Sequence, residues 1–198
     1  AGLDRTARDA LIETIDALAY QAGMPILHVT HNAREVERLA TRVLFMSPGK
    51  VESLEDLEQA LARTDSPLFA EEGPAAVLQG QHEPEADGNC GHFVTRGGTK
   101  IHLAAPPQGP AGGVRRLRIS ASDVGIARDV VRGVSIQNQL PVRIVGMENW
   151  RPGRTLLRLS TTASEPLFAE ITTHSAVRLG LEMEQVVHAL IKSVALVR

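Results

Sequence analysis

The side chains of this 198-residue chain best placed to do chemistry are hydrogen-bond donors rather than acids or nucleophiles. Thr172, Thr173 and Ser175 begin a short helical pattern that ends at Leu179-Gly180-Leu181. At such a start the backbone N–H groups lack intrahelical partners, and the positive end of the helix dipole favours anions. Lys192 adds a full positive charge from a late strand pattern, with the Ser193 hydroxyl beside it, while Ser135 and Asn138 offer further donors. Such a set can hold a small divalent tetrahedral anion without any general base. Each charge-assisted hydrogen bond contributes roughly 1.5 to 3 kcal/mol, so roughly three to five of them suffice for tight binding. Every one of these residues also has a structural reading. Thr-Thr-x-Ser is a frequent helix cap, a lysine on a late strand protects a sheet edge, and Ser and Asn are turn formers.

His31 is a second position of chemical interest. The apolar run Ile26, Leu27 and Val29, bounded by Gly23 and Pro25, predicts a buried strand. Thr30-His31 is the polar step at its carboxyl end, where open α/β sheets bind ligands. His28, inside the run, is expected to be a packed histidine with a partner. Asn32 caps the next helix, Glu35 stands in the capping-box position, and Ala33, Val36, Leu39 and Ala40 share one face. Val43 to Met46 reads as another strand, with Ser47-Pro48-Gly49-Lys50 as the turn into a hairpin return at Val51. Ahead of this unit, Asp4 to Ala22 reads as a helix capped by Asp4, with Ala7, Leu11, Ile12, Ile15, Leu18 and Ala19 as its stripe and Gly23 as its stop. After it, Ser53 caps a short helix carrying Leu54, Leu57 and Leu61.

From about Gly73 the helical periodicity gives way to short β-type runs separated by Gly and Pro. Strands are expected at 76–78, 92–95, 100–104, 114–119, 140–145, 155–159, 167–171 and 186–196, the pattern of a small barrel or sandwich. Residues 79–126 and 142–197 form an approximate repeat; the second copy carries ITTHSAVRLGL where the first has PPQGPAGGV. Asn149 to Gly153, with Trp150, reads as a turn. His82, His92 and His102 recur every ten residues near Cys90, but no short ligand spacing accompanies them. They read as ordinary loop and strand histidines, and Cys90 as a surface thiol.

A net charge of -2 and 3% aromatic residues argue against a nucleic-acid partner. The single cysteine suits a reducing compartment. No apolar run approaches the roughly 20 residues that cross a bilayer, so contact with a membrane is expected to go through a partner protein.

VTHNAREVERLATRVLFMSPGKV, residues 29–51, resembles the H-loop region of ABC-transporter ATPase domains, and Gly2-Leu3-Asp4 resembles their D-loop. The resemblance implies that His31 is the switch histidine contacting the terminal phosphate of ATP, and that Asp4 communicates across an ATPase dimer. The chain holds no G-x-x-x-x-G-K-[ST] phosphate loop, no signature of the L-S-G-G type and no apolar strand ending in Asp-Glu before Gly2. It is therefore expected to be a fragment of a longer ATPase, with ATP and Mg relevant only to that parent.

The later part resembles the Mop (molbindin) domain of molybdate-binding proteins. The residues that carry the resemblance are Val134-Ser135-Ile136-Gln137-Asn138, then Ile171-Thr172-Thr173-His174-Ser175 leading to Leu179-Gly180-Leu181, and Ala189-Leu190-Ile191-Lys192-Ser193. Leu117 to Val124 looks like the segment preceding this unit in the ATPase subunit of molybdate importers. The resemblance implies an oxyanion site from Ser135, Gln137, Asn138, Thr172, Ser175, Lys192 and Ser193, shared between subunits, with Gln137 standing where the family usually has Arg. The expected architecture is an α/β fragment, the tail of a P-loop ABC ATPase domain, over residues 1–72. An all-β OB-like barrel domain of the Mop/TOBE type follows over 73–198, in two similar halves, about 73–133 and 134–198. The expected function is part of the ATP-binding subunit of a molybdate or tungstate importer, with feedback by cytosolic oxyanion. A second copy and a membrane permease would be its partners, at the cytoplasmic side of the inner membrane. Two alternatives stand beside it: the ATPase subunit of a sugar or sulfate importer with a structural β domain, and a molbindin-type storage protein. The 198 residues alone are expected to turn over no ATP, and measured turnover would overturn the reading of residues 1–72.

Overall fold

The computed structural model describes residues 7, 10–12, 14–15, 18–19, 23–70, 73–84, 91–103, 115–192 and 194–197. Asp4, Cys90 and Ser193, the ends of the amino-terminal helix, the Glu85–Gly88 turn and the loop before Arg115 lie outside the described residues. Contacts divide the chain into two compact units, residues 1–72 with 197–198, and residues 73–196.

In the first unit, the described residues between Ala7 and Ala19 are helical, and Ile12 is the buried member of their stripe, while Leu11 and Leu18 are exposed. The strand expected over 26–29 does not form. Residues 23–30 carry no regular structure, and Leu27 and Val29 are 87% and 88% exposed. A β-run gains its hydrogen bonds and burial only from neighbouring strands, and among the described residues nothing pairs with it. His28 is consequently not packed in a core; its Nε2 lies 2.9 Å from Glu35 Oε2. The Asn32 N–H donates to Thr30 Oγ1 at 3.0 Å.

Helix α1 (Ala33–Leu39) is capped as expected, with Asn32 Oδ1 accepting from Arg34 N at 2.9 Å. Its apolar face is only half-buried, because the strand it would cover is missing. Strands β1 (Arg42–Ser47) and β2 (Lys50–Asp56) make the expected hairpin around Gly49. At its tip the Ser47 hydroxyl, then the Lys50 ammonium, hold the Glu52 carboxyl below its usual range. Ser53 lies inside β2 and caps nothing; helix α2 (Leu57–Ala62) starts later, after Asp56. Leu57 and Leu61 lie in this helix as expected, whereas Leu54 stays in the strand because pairing with β1 holds Lys50–Asp56 extended. Arg63 fastens the junction, its guanidinium bidentate on Glu55 at 3.0 and 3.1 Å and 5.5 Å from the Phe45 ring centroid.

The second unit consists of two five-stranded sheets with one plan. One runs β12-β6-β3-β4-β5, from β3 (Ala75–Pro84), β4 (Gly91–Thr95), β5 (Lys100–Leu103), β6 (Arg115–Ser120) and β12 (Ala195–Val197). The other runs β10-β9-β8-β11-β7, from β7 (Val124–Ala127), β8 (Asn138–Arg151), β9 (Arg154–Thr161), β10 (Pro166–Thr172) and β11 (Val186–Ile191). In each half a three-stranded meander is followed by a fourth strand that returns to pair with the first. The fifth strand of each half leaves it and closes the other sheet. β7, absent from the sequence expectation, pairs with β11 in the register Ile191↔Val124 to His188↔Ala127. The expected final strand over 186–196 is split into β11 and β12. Strand β8 runs on to Arg151, so Asn149 and Trp150 are strand residues and the turn is confined to Pro152-Gly153. A bulge between Ile144 and Gly146 bends β8, and β10 packs beside β7, which curls the sheet toward closure.

Alternation sets the two cores. Phe93, Ile101, Leu117 and Ile119 fill one, and Ile144, Leu157, Leu159, Val187, Ala189 and Ile191 are among the fully buried residues of the other. Gly80 on β3 allows a close approach that no side chain would; a Cβ there would lie 2.2 Å from the Val94 carbonyl oxygen. The halves are also joined by Glu165, between β9 and β10. Thr95 Oγ1 and Thr99 Oγ1 donate to its Oε2 at 2.9 and 2.6 Å, and Gly97 N donates to its Oε1 at 3.1 Å. Helix α3 (Thr173–Leu179) follows β10.

Candidate functional site

The donors proposed from sequence fall into two groups, at opposite ends of the long strand β8. At its start, Asn138 pairs with Ile191, so Lys192 is the next residue beyond the ladder. At its far end, Arg151 pairs with Arg154 and Arg154 with Thr172, which leads into Ser175.

At the first end, Ser135 and Gln137 are exposed on the run into β8, and Lys192 is exposed with its backbone N–H donating to Asp123 O at 3.1 Å. Asn138 is different: it is buried, and its carboxamide acts as a strand substitute. Its Oδ1 accepts from His102 N at 2.7 Å, and its Nδ2 donates to His102 O at 3.0 Å. The side chain thereby pairs with the backbone of the edge strand β5 in the other half. Gln139 does the same for the preceding loop, with Oε1 accepting from Val131 N and Nε2 donating to Val131 O, both at 2.8 Å. Sequence reasoning missed Gln139, Glu165 and the partner of Asn138. The available signal was the Asn-Gln pair at a strand start, where a carboxamide can replace a peptide group.

At the second end, the Thr172 hydroxyl and the Thr173 and Ser175 backbone N–H groups are engaged within the fold. Thr172 Oγ1 accepts from Ser175 N at 3.0 Å and donates to Ser175 Oγ at 2.8 Å. Thr173 N donates to Gly153 O at 3.0 Å, and its hydroxyl accepts from Thr155 Oγ1 at 3.1 Å. These residues do what a cap does. Among the described residues, Ser135, Gln137 and Lys192 are the exposed candidates at the first end. His31 is exposed ahead of α1 and belongs to the other unit.

Residues 134–197 match the family model of the TOBE domain. The match covers the second half of the β unit. Over its whole length the chain is similar to molybdenum import ATP-binding proteins. With the ModC protein of Aromatoleum aromaticum it shares 30% identity over 204 residues, covering 100% of this chain and 52% of that one. With ModC of Thiobacillus denitrificans it shares 34% over 199 residues, covering 100% and 54%. The chain thus spans about half the length of the curated relatives it matches, and they carry the name that the sequence resemblance pointed to. A solved structure of the cytoplasmic molybdate-binding protein ModG, with molybdate bound, superposes with a TM-score of 0.53 at 21% identity. It covers 61% of this chain and 93% of that one. This likeness establishes the β-rich OB-type fold.

The carboxamide pairing at the head of the second half gives a direct prediction. Asn138→Ala removes two hydrogen bonds that a buried carboxamide makes to the His102 backbone and is expected to cost about 2 kcal/mol. Chemical denaturation of wild type and variant measures it, and an unchanged midpoint would show that β5 does not depend on Asn138.

Proposed function

We propose that the chain is the carboxyl-terminal part of the ATP-binding subunit of a molybdate or tungstate importer, and that its TOBE domain binds the oxyanion for regulation. The observation that carries this is the order of parts on one polypeptide. An ATPase-type H-loop segment precedes a TOBE domain, and the whole length resembles proteins named for molybdenum import.

In this reading residues 1–72 are the tail of the ATPase domain. His31 meets the terminal phosphate of ATP, and Asp4 signals across the dimer, only once the rest of that domain is supplied. The exposed run Ile26 to Val29 then becomes a strand between neighbours. The permease subunit and a second copy are the partners, and the protein works at the cytoplasmic face of the inner membrane.

Ser135, Gln137 and Lys192 are the donors assigned to the oxyanion, with Ser193 beside them. Asn138 positions this corner through β5 rather than touching the ligand, and Thr172 and Ser175 shape α3. A lone ammonium and a few hydroxyls or amides make a modest site, and a corner this exposed gains most when a second copy excludes water from it. Feedback follows if the oxyanion binds one spacing of two copies more tightly than the other.

Calorimetric titration of the protein with molybdate, tungstate and sulfate tests the assignment. Molybdate heat is expected, and Lys192→Ala should weaken binding by roughly tenfold or more, the worth of one charge-assisted bond. Absence of molybdate heat in the wild type, or full affinity in Lys192→Ala, would contradict it.

A further inference from the structure

Lys192 is the only cation assigned to the oxyanion corner, and an acid lies beside it. The Lys192 N–H donates to the carbonyl of Asp123 at 3.1 Å, which brings a carboxylate-bearing residue to the same place. A divalent anion there gains from a second positive charge only if that charge is near, because exposed charges more than about 10 Å apart are screened by salt. The loop from β7 into β8 carries two arginines, Arg128 and Arg132. The Gln139 carboxamide folds this loop onto the head of β8. Its Nε2 donates to Val131 O at 2.8 Å and to Ile136 O at 3.4 Å, while its Oε1 accepts from Val131 N at 2.8 Å. Val131 and Ile136 thus meet on one nitrogen, so the four residues between them, Arg132-Gly133-Val134-Ser135, close into a tip that Gly133 turns with a φ of +72°. All four are exposed, and Arg132 and Ser135 are the two shoulders of the tip. The Arg132 guanidinium has no hydrogen-bond or ion-pair partner among the described residues. From the tip the chain runs into Asn138, opposite Ile191, and so to the level of Lys192.

We propose that Arg132 is the second cation of the oxyanion site, and that Arg132 and Lys192 together make the site select divalent over monovalent tetrahedral anions. This role rests on the assignment of the oxyanion to Ser135 and Lys192, and it follows from the tip that sets Arg132 beside Ser135. A guanidinium is always charged, and its planar fork of donors can hold two oxygens of one anion. Unpaired in the protein, it breaks no ion pair when it meets the ligand. Coulomb attraction scales with the product of the charges, so a monovalent anion draws half as much from each cation as a divalent one. Two cations therefore widen a preference that one alone would leave narrow. Arg128 does not share the role. It follows Ala127, which pairs with His188 at the end of the β7–β11 ladder away from Val124 and Ile191, and Asp129 stands next to it.

Calorimetric titration with molybdate, and with perrhenate as a monovalent tetrahedral anion, tests this in the wild type, Arg132→Gln, Arg132→Lys and Arg128→Gln. The wild type is expected to bind molybdate more tightly than perrhenate. Arg132→Gln should weaken molybdate by roughly tenfold or more and perrhenate by less. Arg132→Lys should keep most of the molybdate affinity, and Arg128→Gln should match the wild type. Because Arg132 is exposed and unpaired, the ligand-free melting temperature of its variants should equal that of the wild type, which separates a lost ligand contact from a lost fold. If the wild type binds molybdate and Arg132→Gln binds it as tightly, or loses both anions equally, the role of Arg132 is overturned while that of Lys192 stands. An equal loss in Arg128→Gln would overturn it too, by showing a diffuse effect of loop charge. No molybdate binding by the wild type would overturn the oxyanion site itself, and this role with it.

Discussion

Each half of the β unit finishes the sheet of the other. β7 leaves the first half to pair with β11, and β12 leaves the second to lie beside β6. Everything in the two halves rests on this exchange, because an outer strand taken from the other half makes the two cores interdependent. Fully buried Ile119 and Ile191 lie toward the ends of the strands that receive these edges. Asn138 and Glu165 add polar fasteners of the same kind, each with its partners in the opposite half. A pseudo-repeat that could have been two separate barrels thus becomes one cooperative body.

The same exchange decides which polar groups are left for a ligand. Carboxamides and hydroxyls that look like anion donors in sequence are consumed wherever the chain must join two halves or start a helix. Asn138 joins; Thr172 caps. Asn138 makes two hydrogen bonds to the backbone of β5, more than the single one it could offer a ligand. The corner where the exchange happens, around Asp123, Ile191 and Lys192, keeps an exposed lysine because both backbone ladders end there.

Much of this was legible in the sequence where the determinants are local. Alternation in Gly91–Thr95 and Lys100–Leu103, the Gly49 hairpin and the Asn32 cap all depend on residues within a few positions of each other. What was not legible depends on distant partners. Val124–Ala127 is too short and too plain to announce a strand until β11, some sixty residues later, supplies its ladder. Ile26, Leu27 and Val29 have every local mark of a strand and lack only neighbours, so they lie exposed. The fate of Asn138 could not be read from Ser135 to Asn138, since its partner is the backbone of His102. That Ser135, Gln137 and Lys192 lie at one end of β8 and Thr172 and Ser175 at the other follows from the strand ladders, and so could not be read from the sequence.

Native-state amide exchange measures the strand exchange most directly. The amides of Val124–Ala127 should open at the same free energy as those of Val186–Ile191, because they belong to one ladder. If Val124–Ala127 instead exchanged along with Arg115–Ser120 while Val186–Ile191 stayed protected, the halves would be independent and the account would be wrong.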